Sequence, residues 1–283
     1  GAAARLGREE RREQNMITAT NATKRFEDIT AVDHICAEVK DGSVYGLIGS
    51  NGAGKSTFLR MLAGILQPDE GTVQIDGKDI FENIAMKERF FFISDEQFFF
   101  SNATPEEMLR YYQKIYPRFD EARFHKLMGS FGLSEKRKIH TFSKGMKKQL
   151  ALICGICSGT KYLFCDETFD GLDPVMRDDI LDIFLDYIQD ENHSILMSSH
   201  ITTDLEKIAD YVTFIHEGKI VFSKTKDELI YNYGILRCSK DDFNRIDPGD
   251  ILAYRKEDYQ WNVLVADRDK AMARYRNVIV DHP

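Results

Sequence analysis

The sequence has few of the residues that mark disulfide-rich or membrane-spanning proteins. It contains only five cysteines in 283 residues, an odd and scattered set that forms no disulfide framework and suits a reducing compartment. No apolar run approaches the roughly 18 residues that a membrane-spanning helix requires, so we predict no transmembrane helix. Basic residues are outnumbered, 38 against 46 acidic ones, and the net charge of −8 disfavours nucleic acid and anionic lipid as partners. Any phosphate must therefore be bound by a local site.

The remaining composition is that of a globular protein, and the chain divides into parts of different character. Hydrophobic residues make up 43% and charged residues 30%, which excludes disordered and collagen-like chains. Residues 1–15 are charged, lack the apolar stretch of a signal peptide and are expected to be a tail outside the fold. We predict one large domain over residues 16–234 and a small α+β accessory subdomain over residues 235–283.

Strands and helices alternate through most of the predicted domain. The first strands show antiparallel patterning, residues 43–48 form an apolar strand, and residues 56–66 carry apolar side chains at helical spacing. Predicted helices interrupt the strands at about residues 96–159, and strands resume at residues 162–165 and 194–198. This order predicts an α/β fold with a mainly parallel core sheet, an antiparallel β-part and a helical insertion.

A glycine-rich loop lies between the apolar strand and the following helix. Residues 49–56 read Gly-Ser-Asn-Gly-Ala-Gly-Lys-Ser and fit the pattern G-x-x-x-x-G-K-[ST]. Backbone N–H groups of such a loop surround a β-phosphate, Lys55 neutralises the β and γ oxygens, and the Ser56 hydroxyl ligates Mg²⁺. A chance glycine turn is the weaker interpretation, because strand, loop, Lys-Ser pair and helix occur in order. The predicted nucleotide-binding residues of this loop are Gly49, Ser50, Asn51, Gly52, Ala53, Gly54, Lys55, Ser56 and Thr57.

Two carboxylates end a second apolar strand. Residues 162–167 read Tyr-Leu-Phe-Cys-Asp-Glu, which places Asp166 and Glu167 at the carboxyl end of a buried strand, where ligands gather in parallel α/β sheets. Asp166 can hold Mg²⁺ through water, while Glu167 can polarise the water that attacks the γ-phosphate. On its own this pair fits a solvated turn equally well, but the upstream phosphate loop favours a catalytic site.

Further segments resemble the ATPase subunit, or nucleotide-binding domain, of ABC transporters over about residues 17–233. Residues 142–146, Phe-Ser-Lys-Gly-Met, are similar to the family signature L-S-G-G-Q; Ser143 and Gly145 are retained, whereas the first glycine and the glutamine are replaced. Residues 171–174, Gly-Leu-Asp-Pro, resemble the family D-loop, and His200 resembles its switch histidine. Phe26 stands where the family has an aromatic residue that stacks on adenine.

The resemblance implies a P-loop NTPase fold of ABC type and a head-to-tail dimer that binds Mg²⁺ and ATP. Each ATP would lie between the phosphate loop of one subunit and Ser143 and Gly145 of the other, with Asp173 crossing the interface. Glu167 and His200 would hold the attacking water. Capping of a helix is the simpler role for Ser143 and Asp173, and a residue can both cap and act.

The resemblance also implies partners and a location. It implies a transmembrane permease subunit encoded separately, a homodimer or a heterodimer with a related ATPase subunit, and a cytoplasmic protein bound peripherally at the inner face of the cell membrane. The motif at residues 142–146 resembles that of export-type bacterial subunits more than that of importers, so the resemblance implies export. A soluble ABC-type ATPase that acts on other proteins without transport is the alternative function. Relatives linked to nucleic acid are disfavoured by the acidic charge, and a kinase by the lack of an evident acceptor pocket.

One loop departs from the family pattern. The family has a glutamine that senses Mg²⁺ and the membrane partner at a strand end; Asp95 stands at this position and Gln97 lies two residues later. Either residue could reach the metal, and an acidic solvated loop is the alternative. Residues 98–100 are three phenylalanines that either pack inside or form an exposed patch for a membrane-subunit helix. The pair Cys154 and Cys157 lies in an apolar helix and is interpreted as core rather than zinc-binding.

Overall fold

The computed structural model describes residues 16–281 except 171, 191, 200, 201, 257–259, 276 and 277. The chain divides into two compact units, the first ending at Ser223 and the second beginning at Lys224. The strands are β1 (Met16–Phe26), β2 (Ile29–Lys40), β3 (Val44–Ile48), β4 (Glu70–Ile75), β5 (Lys78–Asp79), β6 (Phe90–Ile93), β7 (Tyr162–Asp166), β8 (Ser194–Ser199), β9 (Tyr211–His216), β10 (Lys219–Thr225), β11 (Gly234–Cys238), β12 (Ala253–Lys256), β13 (Trp261–Val265) and β14 (Ile279–Asp281). The α-helices are α1 (Lys55–Leu62), α2 (Ile84–Lys87), α3 (Pro105–Ile115), α4 (Glu121–Ser130), α5 (Lys144–Cys157), α6 (Pro174–Tyr187), α7 (Thr202–Ile208), α8 (Lys226–Asn232), α9 (Lys240–Phe243) and α10 (Arg268–Arg274).

The central sheet brings the ends of three strands together. Its six strands run in the order β10-β9-β3-β8-β7-β6. Strand β3 is parallel to β8 and β9, and β7 is parallel to β6 and β8. Ile48 pairs with Ser199, and Asp166 pairs with Ser198. The glycine-rich loop after β3 and the acidic end of β7 therefore lie at the same edge of the sheet, separated only by β8.

A second, antiparallel sheet covers the helix that follows the glycine-rich loop. Its strand order is β2-β1-β4-β5. Helix α1 contacts β1, β2 and β4 of this sheet and also β7 and β8 of the central sheet. Its apolar residues Phe58, Leu59, Met61 and Leu62 are fully buried in one core that both sheets share. This packing fixes the start of α1 relative to the loop, because the helix cannot shift without opening the core.

The predicted helical insertion has clear local signals. Thr104 and Glu107 form a capping box at the start of α3, and Pro105 occupies its first position. Asp120 caps α4 by accepting a hydrogen bond from the N–H of Arg123 at 2.9 Å. Helix α5 is buried from Lys148 to Cys157 and packs against α3, α4 and β6. The α/β fold with a mainly parallel core sheet is thus the one that the sequence predicts.

The second unit has its own sheet and core. Its antiparallel strands run in the order β12-β13-β11-β14, and Leu236, Val263 and Val265 are buried among them. Asp250 accepts hydrogen bonds from Lys270, Arg274 and the Tyr275 hydroxyl, and the last of these bonds contributes most to lowering the pKa of this carboxyl. Among the described residues, none of the helices combines the length and apolarity needed to cross a lipid bilayer.

Candidate active site

At Gly54, the glycine-rich loop has a backbone conformation that only glycine can adopt without a clash. Gly54 has φ of 104°, and a Cβ added there would lie 2.3 Å from the carbonyl oxygen of Ala31. The loop is also anchored from outside, because the N–H of Gly218 donates to the carbonyl of Ala53 at 2.9 Å. Helix α1 begins at the next residue, Lys55, so the unpaired N–H groups of its first turn adjoin the loop. Loop amides and a helix N-terminus together make an anion site.

We predict that Gly54→Ala weakens ATP binding without unfolding the protein. The added methyl group must displace the Ala31 carbonyl or the loop, and an alanine at positive φ costs about 1–2 kcal/mol. A loss of about tenfold in ATP affinity by calorimetry is expected. Gly77→Ala is the control, because Gly77 also has positive φ, at 72°, but an added Cβ there meets no atom within 4 Å. Equal affinity of the two variants would contradict the proposed role of the loop geometry.

The lysine of the loop is buried against the loop itself. The Lys55 side chain is only 3% exposed, and its Nζ donates to the carbonyls of Gly49 at 2.9 Å and Ser50 at 3.1 Å. The same Nζ lies 3.6 Å from Glu167 Oε1. The Lys55 ammonium group therefore links the glycine-rich loop to the acidic pair at the end of β7, as the positions of these two motifs in the sequence predict.

The aspartate that ends β7 is almost fully buried and collects hydrogen bonds. Asp166 is 1% exposed, and its Oδ1 accepts from the hydroxyls of Ser56 and Ser198, both at 2.7 Å. Arg60 Nη2 lies 3.3 Å from its Oδ2. A serine hydroxyl next to a buried carboxylate provides the hard oxygen ligands that Mg²⁺ prefers. These residues therefore fit Mg²⁺ in the role that the sequence assigns to them.

The neighbouring glutamate has an unusual backbone conformation. Glu167 has φ of 48°, in the left-handed region that residues with a Cβ seldom adopt. Its N–H donates to Ser198 Oγ at 3.0 Å, and its carbonyl accepts from Lys148 Nζ at 3.1 Å. The side chain keeps 22% of its surface exposed. Strained backbone of this kind clusters at active sites, where the surrounding contacts maintain it.

Comparisons with known proteins identify the family. The ABC transporter family profile matches residues 32–170, which include both motifs. The bacitracin transport ATP-binding protein BcrA of Enterococcus faecalis is 34% identical to this chain over 218 residues, covering 76% of this chain and 70% of BcrA. This chain belongs to the ABC transporter ATP-binding proteins. The ABC transporter ATP-binding protein NatA of Bacillus subtilis is 32% identical over 225 residues, covering 76% of this chain and 91% of NatA.

A solved structure shows the fold that goes with this membership. An ATP-binding subunit of an ABC transporter superposes on this ABC protein with a TM-score of 0.69 at 25% identity, covering 76% of this chain and 91% of that one. The resemblance to ABC ATPases and the predicted P-loop fold are confirmed. Members of this family are the ATPases of transport systems, so this ABC subunit is an ATP hydrolase.

The remaining predicted site residues are spread over other elements of the first unit. Phe26 ends β1 and is 45% exposed, and Lys24 Nζ lies 5.7 Å from the centroid of its ring. Ser143 and Asp173 are exposed helix caps, and their side chains accept from the N–H groups of Met146 at 3.2 Å and Met176 at 3.0 Å. His200 lies outside the described residues.

The two candidates in the departing loop have partners of their own. Asp95 Oδ1 accepts from Lys148 Nζ at 3.1 Å, and Lys144 Nζ lies 3.9 Å from the same oxygen. Gln97 Nε2 donates to the backbone carbonyls of Ser94 and Asp95. Within the described part of the chain, neither side chain is hydrogen-bonded to Ser56 or Asp166. A metal-sensing role for either residue therefore stays a prediction.

Sequence reasoning missed Ser198 and Lys148. Ser198 joins the last residue of β7 to the glutamate that follows it, since its hydroxyl donates to Asp166 and accepts from the N–H of Glu167. The signal was a serine inside an apolar strand predicted to lie near β7. Lys148 is fully buried on α5, four residues before the buried Leu152. A lysine at the apolar spacing of a helix was the signal here.

The cysteines of α5 belong to the core. Cys154 and Cys157 are buried free thiols, and burial raises the pKa of both, that of Cys157 to about 12. On β7, the Cys165 pKa is likewise raised to about 12 by burial. A thiol with so high a pKa is a poor source of the thiolate that zinc requires. Over the residues that the structure describes, no group of three or more His, Cys, Asp or Glu side chains could hold a metal ion by itself.

Proposed function

We propose that this ABC ATP-binding subunit is the motor of an export-type transporter whose transmembrane permease is a separate chain. The observation that carries the proposal is an aromatic patch on the loop after β6 and on α3, formed by Phe98, Phe100 and Tyr111. Phe98 is 80% exposed, Phe100 45% and Tyr111 39%. The rings of Phe100 and Tyr111 pack edge to face with centroids 4.7 Å apart. Exposed apolar patches mark interaction sites in folded proteins.

The patch suits a helix with one apolar face. Such a helix binds through a few large side chains that enter a preformed apolar surface. Phe99 and Tyr112, next to the patch in sequence, pack against the buried core, so the exposed rings stand on a rigid base. Relatives with transport names support a role in transport, since BcrA is named for bacitracin transport. We therefore place this subunit at the inner face of the cell membrane, bound through its permease.

The catalytic step that we propose uses the residues at the carboxyl ends of β3 and β7. The phosphates of ATP bind the loop amides of residues 49–57, and the Lys55 ammonium leaves the Gly49 and Ser50 carbonyls for the phosphate oxygens. Ser56 and Asp166 would hold Mg²⁺, which when bound neutralises charge on the β and γ oxygens. Glu167 accepts a proton from the attacking water as the oxygen of that water bonds to the γ-phosphorus and the bond to ADP breaks. His200 would hold the same water.

A second subunit completes the ATP site in this proposal. Ser143 caps the 14-residue helix α5, whose first turn contains no acidic residue and whose Lys144 is 70% exposed. This helix end therefore attracts a phosphate. In the described part of the chain, no hydrogen bond or ion pair joins residues 143–145 to residues 49–57, so we assign Ser143 and Gly145 to the ATP bound by another subunit. Asp173 would face the same interface. The partner is a copy of this chain or a related ATPase subunit.

Capture of the permease tests the transport proposal. The Glu167→Gln chain, incubated with ATP, is used to pull down partners from detergent-solubilised membranes of the source cell, and these are identified by mass spectrometry. We expect a membrane protein with several spans in near-equal amount, and we expect Phe98→Ser in the same chain to abolish its recovery. Ile84→Ser is the matched control, because Ile84 is 75% exposed on α2, outside the patch.

The alternative outcome has a definite meaning. Recovery of soluble partners alone, lost again in Phe98→Ser, would favour a soluble ABC-type ATPase that acts on other proteins without transport. Equal recovery of a membrane protein by the Phe98 and Ile84 variants would contradict the assignment of the patch as the docking surface. The ATP site does not depend on either result.

A further inference from the structure

Lys148 carries a charge in the interior of the first unit. Its exposed fraction is 0%, on a helix whose following nine residues are also buried. The Nζ has three acceptors within hydrogen-bond distance, which are Asp95 Oδ1 at 3.1 Å, the Glu167 carbonyl at 3.1 Å and the Asp170 carbonyl at 2.7 Å. An ammonium group has three N–H donors, so every donor of Lys148 is used. A buried charge is costly unless it is paired in this way.

Two of the three acceptors, the carbonyls of Glu167 and Asp170, belong to the segment that follows β7 and contains the proposed catalytic glutamate. The peptide groups on both sides of the Glu167 Cα are held, the N–H by Ser198 Oγ and the carbonyl by Lys148 Nζ. These two contacts maintain the left-handed φ of 48°, together with the N–H of Asp170, which also donates to the Glu167 carbonyl, at 3.2 Å. The direction of the Glu167 side chain, with Oε1 3.6 Å from Lys55 Nζ, depends on that backbone conformation.

The third acceptor belongs to a different loop. Asp95 follows β6 and precedes the aromatic patch by three residues. Its carboxylate is the one ion-pair partner that the described residues provide for Lys148, and it is 41% exposed. A single buried ammonium thus joins the loop of the aromatic patch, the helix that Ser143 caps, and the backbone of the catalytic glutamate.

We propose that Lys148 is a positioning residue that holds Glu167 in its reactive conformation, and that Asp95 keeps Lys148 in place and so connects the loop of the aromatic patch to the catalytic carboxylate. This inference rests on the proposed roles of Glu167 and of the patch. Lys148 touches neither ATP nor water in this assignment. Its loss should therefore change the rate of hydrolysis and leave ATP affinity intact.

Lys148→Met tests the positioning role in the full chain. We expect kcat for ATP hydrolysis to fall by about tenfold to 100-fold, because a small displacement of a catalytic group is sufficient for such a loss. KM and the ATP affinity measured by calorimetry should stay within about twofold of the unchanged chain. Lys148→Gln keeps N–H donors for the carbonyls and should recover part of kcat. Lys147→Met, a partly buried lysine on the same helix, is the control and should keep its kcat.

A readout without nucleotide separates positioning from general damage. Hydrogen exchange of the amides of residues 165–170 should be faster in Lys148→Met, while exchange in α1 stays unchanged. If Lys148→Met does not fold, Asp95→Asn is measured in its place. This variant removes the negative charge that pairs with Lys148, at a residue that is partly exposed. The kcat should fall and the ATP affinity should not. A folded Lys148→Met with unchanged kcat, or an Asp95→Asn with unchanged kcat, overturns the inference.

The same experiments separate this inference from the proposed function. If Glu167→Gln abolishes hydrolysis while Lys148→Met does not, the catalytic role of Glu167 stands and the positioning role of Lys148 fails. If Glu167→Gln itself hydrolyses ATP normally, the proposed catalytic step fails first. A parallel loss of ATP affinity and kcat in Lys148→Met would mean that the residue supports the fold generally, which also contradicts the inference.

Discussion

Glu167→Gln should lower the rate of ATP hydrolysis by about 10²–10⁴-fold, which corresponds to about 3–5 kcal/mol of transition-state free energy. The amide has the shape of the carboxylate but cannot accept the proton of the attacking water. The backbone contacts of Glu167 with Ser198 and Lys148 do not involve the side chain, so the conformation of the segment should be kept. Phosphate release at saturating ATP measures the effect.

ATP affinity should remain or increase in this variant. In the unchanged chain, the Glu167 carboxylate lies 3.6 Å from Lys55 Nζ and would approach the γ-phosphate, which repels it. Removal of the negative charge relieves this repulsion. With hydrolysis blocked, the ATP-bound dimer should accumulate, and light scattering with ATP and Mg²⁺ should show twice the monomer mass.

The control for this variant is Glu88→Gln, the same chemical change at an exposed glutamate that follows α2. It should hydrolyse ATP at the normal rate and form no stable dimer. A monomer in the Glu167→Gln variant with ATP bound would contradict the proposal that a second subunit completes the site. Normal hydrolysis in that variant would show that another group accepts the proton.

The parts of the site that the sequence predicts are those set by backbone rules. A glycine loop between a strand and a helix has one productive conformation, and parallel strands bring their carboxyl ends to one edge, so Lys55 and Glu167 could be placed together from sequence alone. The prediction of where α1 ends is less accurate. The prediction continued to residue 66, whereas the helix ends at Leu62, because Gly64 adopts φ of 62° and ends the turn.

The contacts that sequence reasoning missed are those made by side chains from distant elements. Ser198 and Asp166 are 32 residues apart, and Lys148 and Asp95 are 53 apart. Periodicity says which side of a helix is buried, and Lys148 lies on that side of α5, but it does not say which acceptors the lysine meets. Only the packing of α5 against β6 brings these two residues together.

Lys55→Ala should remove most of the affinity for ATP. The Lys55 side chain is 3% exposed, so water cannot fully replace its ammonium group as the partner of the phosphates. Loss of one partner of a buried charge pair costs about 3 kcal/mol or more, which is a factor of about 100 or more in Kd. Calorimetry with ATP measures this directly, and Lys78→Ala, at an exposed lysine of β5, is the control.

The effect of this variant on stability should appear only with nucleotide present. Without ATP, the Lys55 ammonium donates to the carbonyls of Gly49 and Ser50 and lies 3.6 Å from the Glu167 carboxylate. The loop and Glu167 are both partly accessible, so water can replace these contacts at little cost. With ATP at about 100 times the Kd of the unchanged chain, binding stabilises that chain by about 2.7 kcal/mol, but it stabilises a variant with 100-fold weaker affinity by only about 0.4 kcal/mol. At roughly 2–4 °C per kcal/mol, the ATP-dependent shift in Tm should be about 5–9 °C smaller in Lys55→Ala. An unchanged shift would mean that ATP binds elsewhere, because a ligand stabilises the folded state only through the contacts that it makes there.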